Sequence, residues 1–509
     1  MTPPLSTNPS TVPEAAALDF RSRAERLWLW ACLALFGVAG LLIRSVLAVR
    51  WPTIQRPDET YQNLEPAYRL WTGWGVMPWE WRDGIRSWLF PDFLYGIMRA
   101  TSLLHLPPDT ALPAIWAVLS LLATGVVAVG VVLGWRQSGV IGAVLCGVLC
   151  AFWPDLVYFG PKTLLEVQAG NLLVIAAGLA SLDPVDRRRR PWRLAAIGLL
   201  LAFAFALRFQ LAPALGLVAL WAARLDGRRW LALALGAAGP LALLGVVDAA
   251  TWGSPFQSIW KNVLVNFVQG KADYYGIQPL PWYLLRLISR YRAALIPLGL
   301  FFCLGARRAP LLALVAVVVI GFHTLIGHKE ISFIYAALPP AMIVVGLGSA
   351  RFVEHLPRLL RAPPTSATML RAAGAAWCVL MVLTGMAAPP YRQDEEYTGL
   401  RTAWAELRAQ SDICGVGLYG KRYPFPWIYA PGYAGLNRFV PLYLMQGPEA
   451  LARAEPGFNY LVVRTGDVPD LVGYELVNCS SNMCLMRRPQ TCQPVPDMQI
   501  NAVLARQGN

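Results

Sequence analysis

Between Arg56 and Pro91 the chain reads RPDETYQNLEPAYRLWTGWGVMPWEWRDGIRSWLFP, with five carboxylates (Asp58, Glu59, Glu65, Glu80, Asp83) and five tryptophans. A carboxylate can take a proton from a hydroxyl, and flat aromatic rings suit the apolar faces of sugars. Asp58, in Pro57-Asp58-Glu59 with Gln62 one turn on, is the leading candidate for a base. A proline followed by two acids is also a good helix start, with Asp58 as cap and the carboxylates complementing the dipole. Taken alone, that structural reading is the stronger. A second group, Trp79, Glu80, Trp81, Arg86 and Ser87, could shape a sugar site, although tryptophans at this position serve equally as interfacial anchors.

Two further clusters carry cations. His328, Lys329 and Glu330 interrupt the apolar run LIGHKEISFIYAALPP. Lys or Glu at the centre of a spanning helix costs about 3 kcal/mol each, so these residues are expected in a turn at the interface rather than in mid-bilayer. An ordinary turn would use Gly, Asn or Ser, which favours a functional reading here. The segment Lys162 to Glu166, with Arg208 and the stretch Asn262 to Tyr283, offers basic and hydroxyl groups at helix ends, a combination that suits a phosphate. Lys162, Lys261, Lys271, Lys329 and Lys421 are the only lysines in the chain. All fall on the same predicted side of the membrane.

The elements that must position these residues are membrane helices. At 56% hydrophobic and 15% charged, the 509 residues exceed what a soluble core can bury. Apolar windows long enough to cross about 30 Å of hydrocarbon recur about eleven times. The clearest are 27–49, 113–135, 230–250, 309–327, 331–350 and 369–388. The first is too long for a signal-peptide core and lacks a small-residue cleavage site, so it is read as a retained anchor. Arginines at 21, 23, 26, 136, 187–190, 224, 228, 229, 307, 308 and from 351 to 361 fall on alternate loops and belong on the cytoplasmic side. The acid-rich first loop, residues 251–290, the turn at His328 and everything after Tyr391 then face the opposite side. The net charge of +14 is mostly this topological arginine, and no nucleic-acid partner is expected.

The expected division is a cytoplasmic tail over 1–26, a transmembrane domain over 27–390 whose first outer loop spans 50–112, and a small α/β domain over 391–509 outside the membrane. That last segment reads as a helix, EEYTGLRTAWAELRAQ, followed by strands at CGVGLYG, YLVVR and YELVNC. No catalytic motif marks it, so a lid or packing module is expected. Five of the nine cysteines lie in apolar spans, and Cys414, Cys479, Cys484 and Cys492 lie in this domain. An even set outside the cytoplasm suggests disulfides, with three pairings open.

The motifs together resemble the Alg9-like mannosyltransferases of the GT-C superfamily, and within them the third GPI mannosyltransferase branch. PDETYQNLE, PWEWRDGIRS before Pro91, DYYGIQPLPWY and HKEISFIYAALPP match in order and spacing over roughly residues 25–350. Arg56 and the segment from 391 depart from the pattern. The resemblance implies an all-α GT-C fold and inverting transfer of mannose from a polyprenyl or dolichyl phosphate sugar to a lipid-linked acceptor on the non-cytoplasmic face. In that reading Asp58 is the general base and Glu59 assists it. Gln62, Trp79, Glu80, Trp81 and Arg86 bind the acceptor, and His328, Lys329, Arg208 and Lys162 hold the donor phosphate. No metal or other cofactor is expected, in keeping with the lack of a nucleotide fingerprint or an Asp-x-Asp motif in an outer loop. The arginine-heavy, lysine-poor composition suggests a bacterial inner-membrane protein acting on a cell-envelope lipid. The alternatives are a related transferase using another polyprenyl-phosphate sugar, and a transporter or flippase of lipid-linked sugars. Transporters place ionisable groups near the midplane on broken helices, whereas here they gather at helix ends.

Overall fold

The computed structural model describes residues 23–51, 57–182, 191–359, 366–386, 395–421, 436, 438–468 and 473–507. Arg56, Arg361, the run Arg187–Arg190, residues 391–394 and the expected tail up to residue 22 lie outside this set.

The long apolar windows fold as helices because a backbone in hydrocarbon must satisfy its own hydrogen bonds. The membrane part comprises α1 (Arg23–Arg50), α2 (Glu65–Thr72), α3 (Trp79–Arg82), α4 (Leu89–Leu103), α5 (Ala111–Phe152), α6 (Pro154–Phe159), α7 (Leu165–Ser181), α8 (Pro191–Leu207), α9 (Ala212–Ala223), α10 (Gly227–Trp252), α11 (Gln257–Val263), α12 (Trp282–Tyr291), α13 (Leu295–Ala306), α14 (Pro310–Leu325), α15 (Leu338–Leu359) and α16 (Ser366–Met386). Among the described residues, six helical stretches are long and apolar enough to cross a membrane, and four shorter apolar helices pack among them. α5 breaks at Ser138 and Gly139, where Gly139 takes φ 55°. The chain turns back there, so that a Cβ on Gly134 would lie 2.2 Å from the carbonyl oxygen of Gly142. With α5 divided at that break, the apolar helical segments match the expected number of about eleven.

Most of these helices are short and interrupted, and small residues let them approach closely. Between α8 and α10, a Cβ on Gly236 would lie 1.9 Å from the Ala195 carbonyl. The arginine-bearing ends meet at one end of the bundle. Arg308 donates to Ser138 and pairs with Glu354 at 2.7 Å, and Arg136 donates to the Leu182 carbonyl at 3.2 Å. The first arm of α5, about 40 Å long at 1.5 Å per residue, separates that end from the one where α2 and α4 pack. There Leu64, Ala67, Phe90, Leu94, Ala111 and Ile115 form a shared apolar core.

The segment after α16 folds as α17 (Glu395–Ala409), β1 (Val416–Gly420), β2 (Leu442–Gln446), α18 (Gly447–Ala454), β3 (Tyr460–Arg464), β4 (Glu475–Ser480), β5 (Met483–Arg487) and α19 (Ile500–Gln507). The sheet order is β2-β1-β3-β5-β4, with β1 parallel to both neighbours and β5 antiparallel to β3 and β4. The sequence reading missed β2 and β5, whose buried faces are continuous apolar runs without the alternation that marks a half-exposed strand. The pairing left open resolves into Cys414–Cys492 and Cys479–Cys484. The sheet packs on the first loop: Tyr61, Tyr68 and Val76 join Leu400, Trp404, Leu418 and Val503 in one buried cluster.

Candidate active site

Immediately beyond α1, the chain re-enters helix at Pro57 and passes through a π-helical turn, Glu59–Leu64, before continuing as α2. Such widened turns carry an extra residue and often mark functional positions. The turn is tied to the segment after α6. Thr163 Oγ1 donates to the Glu59 carbonyl at 2.9 Å, and Asn63 Nδ2 donates to the Thr163 carbonyl at 2.7 Å and to that of Asp58 at 3.3 Å. Glu59 itself pairs with Lys162 at 3.3 Å, both side chains buried. Asp58 has right-handed helical φ and ψ, and its side chain makes no capping bond. The helix-cap reading of Asp58 therefore fails, because a capping residue takes extended backbone and accepts from an amide. Its carboxylate is partly buried and has no hydrogen-bond or ion-pair partner among the described residues.

Glu80, from α3, stands one step away as a hub. It accepts from Gln62 Nε2 at 3.1 Å and pairs with Arg86 at 2.6 Å. Trp81 is 1% exposed, donates from Nε1 to the Tyr61 carbonyl at 3.1 Å, and lies against Trp88 and Trp252. Trp79 is stacked beside Tyr275, and the Lys271 ammonium sits 3.6 Å from its ring centroid. The faces of both rings are thus engaged by the protein. They hold the loop's shape and offer at most an edge to a sugar.

On the far side, His328 Nδ1 lies 3.0 Å from the Gly276 carbonyl, and its Nε2 lies 3.7 Å from Glu330. Lys329 is buried and donates to the carbonyls of Gln278 at 2.8 Å and Ile326 at 2.6 Å, with Gly327 at 3.5 Å. Three donors meet three carbonyls, so Lys329 ties the turn after α14 to the segment before α12. Arg208, where α8 breaks off, stacks over Phe333 and faces Glu166 at 3.9 Å. Its Nε and that of Arg86 are buried without a partner. Both arginines line a cleft together with Gln62, Asn63, Ser258 and Asn262.

The electrostatics single out Asp58. Burial, followed by the like charges of Glu330 and Glu80, pushes its carboxyl from an ordinary 3.8 up to about 8, against the pull of Arg86. Burial also works against charge on Arg86, and Glu80 and Asp58 more than offset it. The Glu330 carboxylate raises His328 above its ordinary value despite burial. Tyr275, beside Trp79 and His328, is pushed up to about 12 by burial and by Glu80. Among the described residues, no three His, Cys, Asp or Glu side chains gather as a metal site.

Of the residues singled out in the sequence, Asp58, Gln62, Glu80, Arg86, His328 and Glu330 therefore converge on one centre, with Arg208 at the cleft beside it. Lys162 is committed to Glu59 and Lys329 to carbonyls. The sequence reading did not single out Asn63, Thr163 or Tyr275 individually, and it passed over Glu65, which accepts from the Val76 amide at 2.9 Å. Only their clustering in space distinguishes them from ordinary helix-end residues.

The model of the Alg9-like mannosyltransferase family matches residues 38–393. The chain belongs to that family. It is 28% identical over 335 residues to GPI mannosyltransferase 3 of Yarrowia lipolytica, covering 64% of this chain and 62% of that protein. It is 27% identical over 350 residues to mannosyltransferase APTG1 of Arabidopsis thaliana, covering 64% and 59%. The chain thus matches about three-fifths of the length of these relatives. In three dimensions it is similar to ArnT from Cupriavidus metallidurans bound to undecaprenyl phosphate, with TM-score 0.58 and 13% identity over 92% of this chain and 99% of that one. That likeness fixes the fold as GT-C, and it extends past the end of the family match at residue 393.

Proposed function

We propose that this family member is an inverting mannosyltransferase that uses a polyprenyl or dolichyl phosphate sugar and a lipid-linked acceptor. The single observation that carries the reading is the Asp58 carboxylate, without a hydrogen-bond or ion-pair partner among the described residues and pushed up to about 8 by burial, Glu330 and Glu80 against the pull of Arg86. A general base works best with a pKa near the working pH and a free lone pair. The acceptor hydroxyl gives its proton to Asp58 as its oxygen bonds to the anomeric carbon. The bond from that carbon to the phosphate oxygen breaks, and its electrons leave on the phosphate.

The leaving phosphate gains negative charge, which preorganised cations stabilise. Arg208 and protonated His328 suit that role, and Arg86, aimed at the same cleft, is a second guanidinium within the acceptor group. Lys329 and Lys162 pass from phosphate ligands to positioning residues, because their ammonium groups are already engaged. Gln62 and Glu80 present an amide and a carboxylate to acceptor hydroxyls, while Glu59 anchors the π-helical turn through Lys162. No metal takes part in the proposed step. Relatives named as GPI mannosyltransferases and a structural neighbour bound to undecaprenyl phosphate support a lipid-phosphate-linked donor. By the arginine rule, the end carrying Arg136, Arg308 and Arg351 is cytoplasmic, and the reaction takes place on the opposite face.

The test is transfer of radiolabelled mannose from synthetic polyprenyl-phosphate-mannose into membrane lipids by purified wild type and Asp58→Asn. Label transferred by wild type and lost in the variant supports both donor and base. Equal transfer by the two removes Asp58 from the chemistry.

A further inference from the structure

The segment 73–78, between α2 and α3, has no regular structure of its own, yet it sets where Trp79 and Glu80 stand. Two side chains hold it. Glu65, from the preceding helix, accepts from the Val76 amide at 2.9 Å. Asn501, in the first turn of α19, accepts from the Met77 amide at 2.9 Å and donates to the Gly75 carbonyl at 3.0 Å. The contact is a two-point clasp across 424 positions of sequence.

Only a side-chain amide offers both a donor and an acceptor at that spacing, and neither Ala nor Asp can make both bonds. The neighbourhood reinforces it. Arg82 Nη2 donates to the Leu504 carbonyl at 3.3 Å, Val76 is buried against the tail domain, and Trp74 stacks on Phe439 at 4.3 Å. Gly75 fits only as glycine, since a Cβ there would lie 2.6 Å from the Glu65 carbonyl. Residues after 393 lie outside the family match, so the clasp comes from a part of the chain that the family pattern does not cover.

We infer that Asn501 is a positioning residue for transfer: by fixing the backbone of 75–77 it holds Glu80, and through Glu80 the arrangement of Gln62 and Arg86 beside Asp58. The inference rests on the transferase reading given above. The C-terminal domain is then a working part of the active site rather than a cover.

The experiment uses full-length protein in detergent and compares wild type, Asn501→Ala, Asn501→Asp and, as a control, Arg453→Ala, which breaks an exposed ion pair elsewhere in the same domain. Amide hydrogen exchange is followed over 73–82 and over the sheet, alongside transfer kinetics. In Asn501→Ala, exchange over 73–82 should quicken about tenfold while the sheet stays protected, the effect of losing roughly one net hydrogen bond. The same variant should lose about tenfold in kcat with the KM for the donor within twofold. Asn501→Asp keeps the bond from Met77 and should recover part of both. Arg453→Ala should match wild type. Unchanged protection over 73–82 in Asn501→Ala overturns the clasp, and a uniform loss across the sheet reduces Asn501 to a stability role. Lost protection with unchanged kcat overturns the positioning role. Exchange also reads out when the wild type transfers no sugar: quickened exchange over 73–82 in Asn501→Ala then keeps the clasp while the transferase reading, and the positioning role that rests on it, fall, whereas unchanged exchange overturns the clasp by itself.

Discussion

Two carboxylates in the same bundle, Asp155 buried and Asp58 partly buried, have opposite surroundings. Asp155, at the start of α6, is paired with Arg290 and accepts from the Tyr291 hydroxyl at 3.0 Å, so that both its oxygens are engaged. Asp58 faces the like charges of Glu330 and Glu80, with Arg86 pulling the other way, and has no such partner among the described residues. A fold that neutralises one acid so completely leaves the other with a raised affinity for a proton, the property that the proposed base requires. The contrast also separates their mutants: loss at Asp58 should be read in rate, and loss at Asp155 in folding.

The largest effect is expected from Asp58→Asn. General-base catalysis is worth roughly 10²- to 10⁴-fold, so kcat should fall by at least about 100-fold with donor binding intact. Its effect on stability should run the other way. A carboxyl whose folded value is raised from 3.8 to about 8 makes the ionised form unfavourable in the fold, a penalty that builds between those two pH values and is complete above the second. Asn removes it. The variant should therefore melt no lower than wild type at pH 8, by thermal shift in detergent, and a clear drop would return Asp58 to a structural role.

Second in size is Arg290→Ala, which leaves Asp155 buried and unpaired. Breaking such a pair costs about 3–5 kcal/mol, visible as a large fall in melting temperature or in yield of folded protein. If the variant folds normally and loses only activity, then the second carboxylate is functional too and the comparison collapses.

How far this contrast could be read from sequence differs between the two sites. The Asp58 cluster stood out because acids and tryptophans crowd a loop that needs neither, and because His328, Lys329 and Glu330 interrupt an apolar run where Lys or Glu at a helix centre would cost about 3 kcal/mol each. Asp155 sits in an unremarkable WPDLVYF, and its partner lies 135 residues away. Arg44 was equally silent. Buried in α1, it gives its guanidinium to the carbonyls of Gly40, Cys150, Ala151 and Leu156, joining the C-terminal end of α5 to α1 and α6. A cation satisfied by main-chain carbonyls has no sequence signature. Lys329 is a second such case: its charge suggested a phosphate, and its ammonium donates to the carbonyls of Gln278, Ile326 and Gly327. Helix count and family motifs were legible because periodicity and spacing are local, whereas the clasp from Asn501 joins segments that nothing in the sequence relates.

A third test sharpens the electrostatic side. Glu330→Gln removes the larger of the like charges that raise Asp58, after burial itself. In wild type the base must be ionised, so kcat/KM should rise with pH toward a limb near 8. In the variant that limb should move to lower pH. His328 loses the partner that raises it, so the falling limb, where the imidazolium loses its proton, should also move down. A pH–rate profile settles both shifts, and a rising limb that stays in place would mean that the titrating base is not Asp58.

The smallest expected effect concerns a third carboxylate, Asp83, which belongs to neither class. It pairs with Lys271 at 3.1 Å at the exposed rim of the same loop, and Lys271 also covers Trp79. Solvent screens such pairs, which are worth about 0.2–1 kcal/mol, and an exposed cation over a ring adds about 0.5–1 kcal/mol. Lys271→Ala should therefore lower the melting temperature slightly and leave kcat and the donor KM within about twofold. A loss of transfer beyond tenfold with unchanged stability would show that uncovering Trp79 disturbs substrate directly. The boundary between the poised centre around Asp58 and its structural surroundings would then have to be drawn to include the Trp79 face, which the packing of Lys271 and Tyr275 assigns to the scaffold.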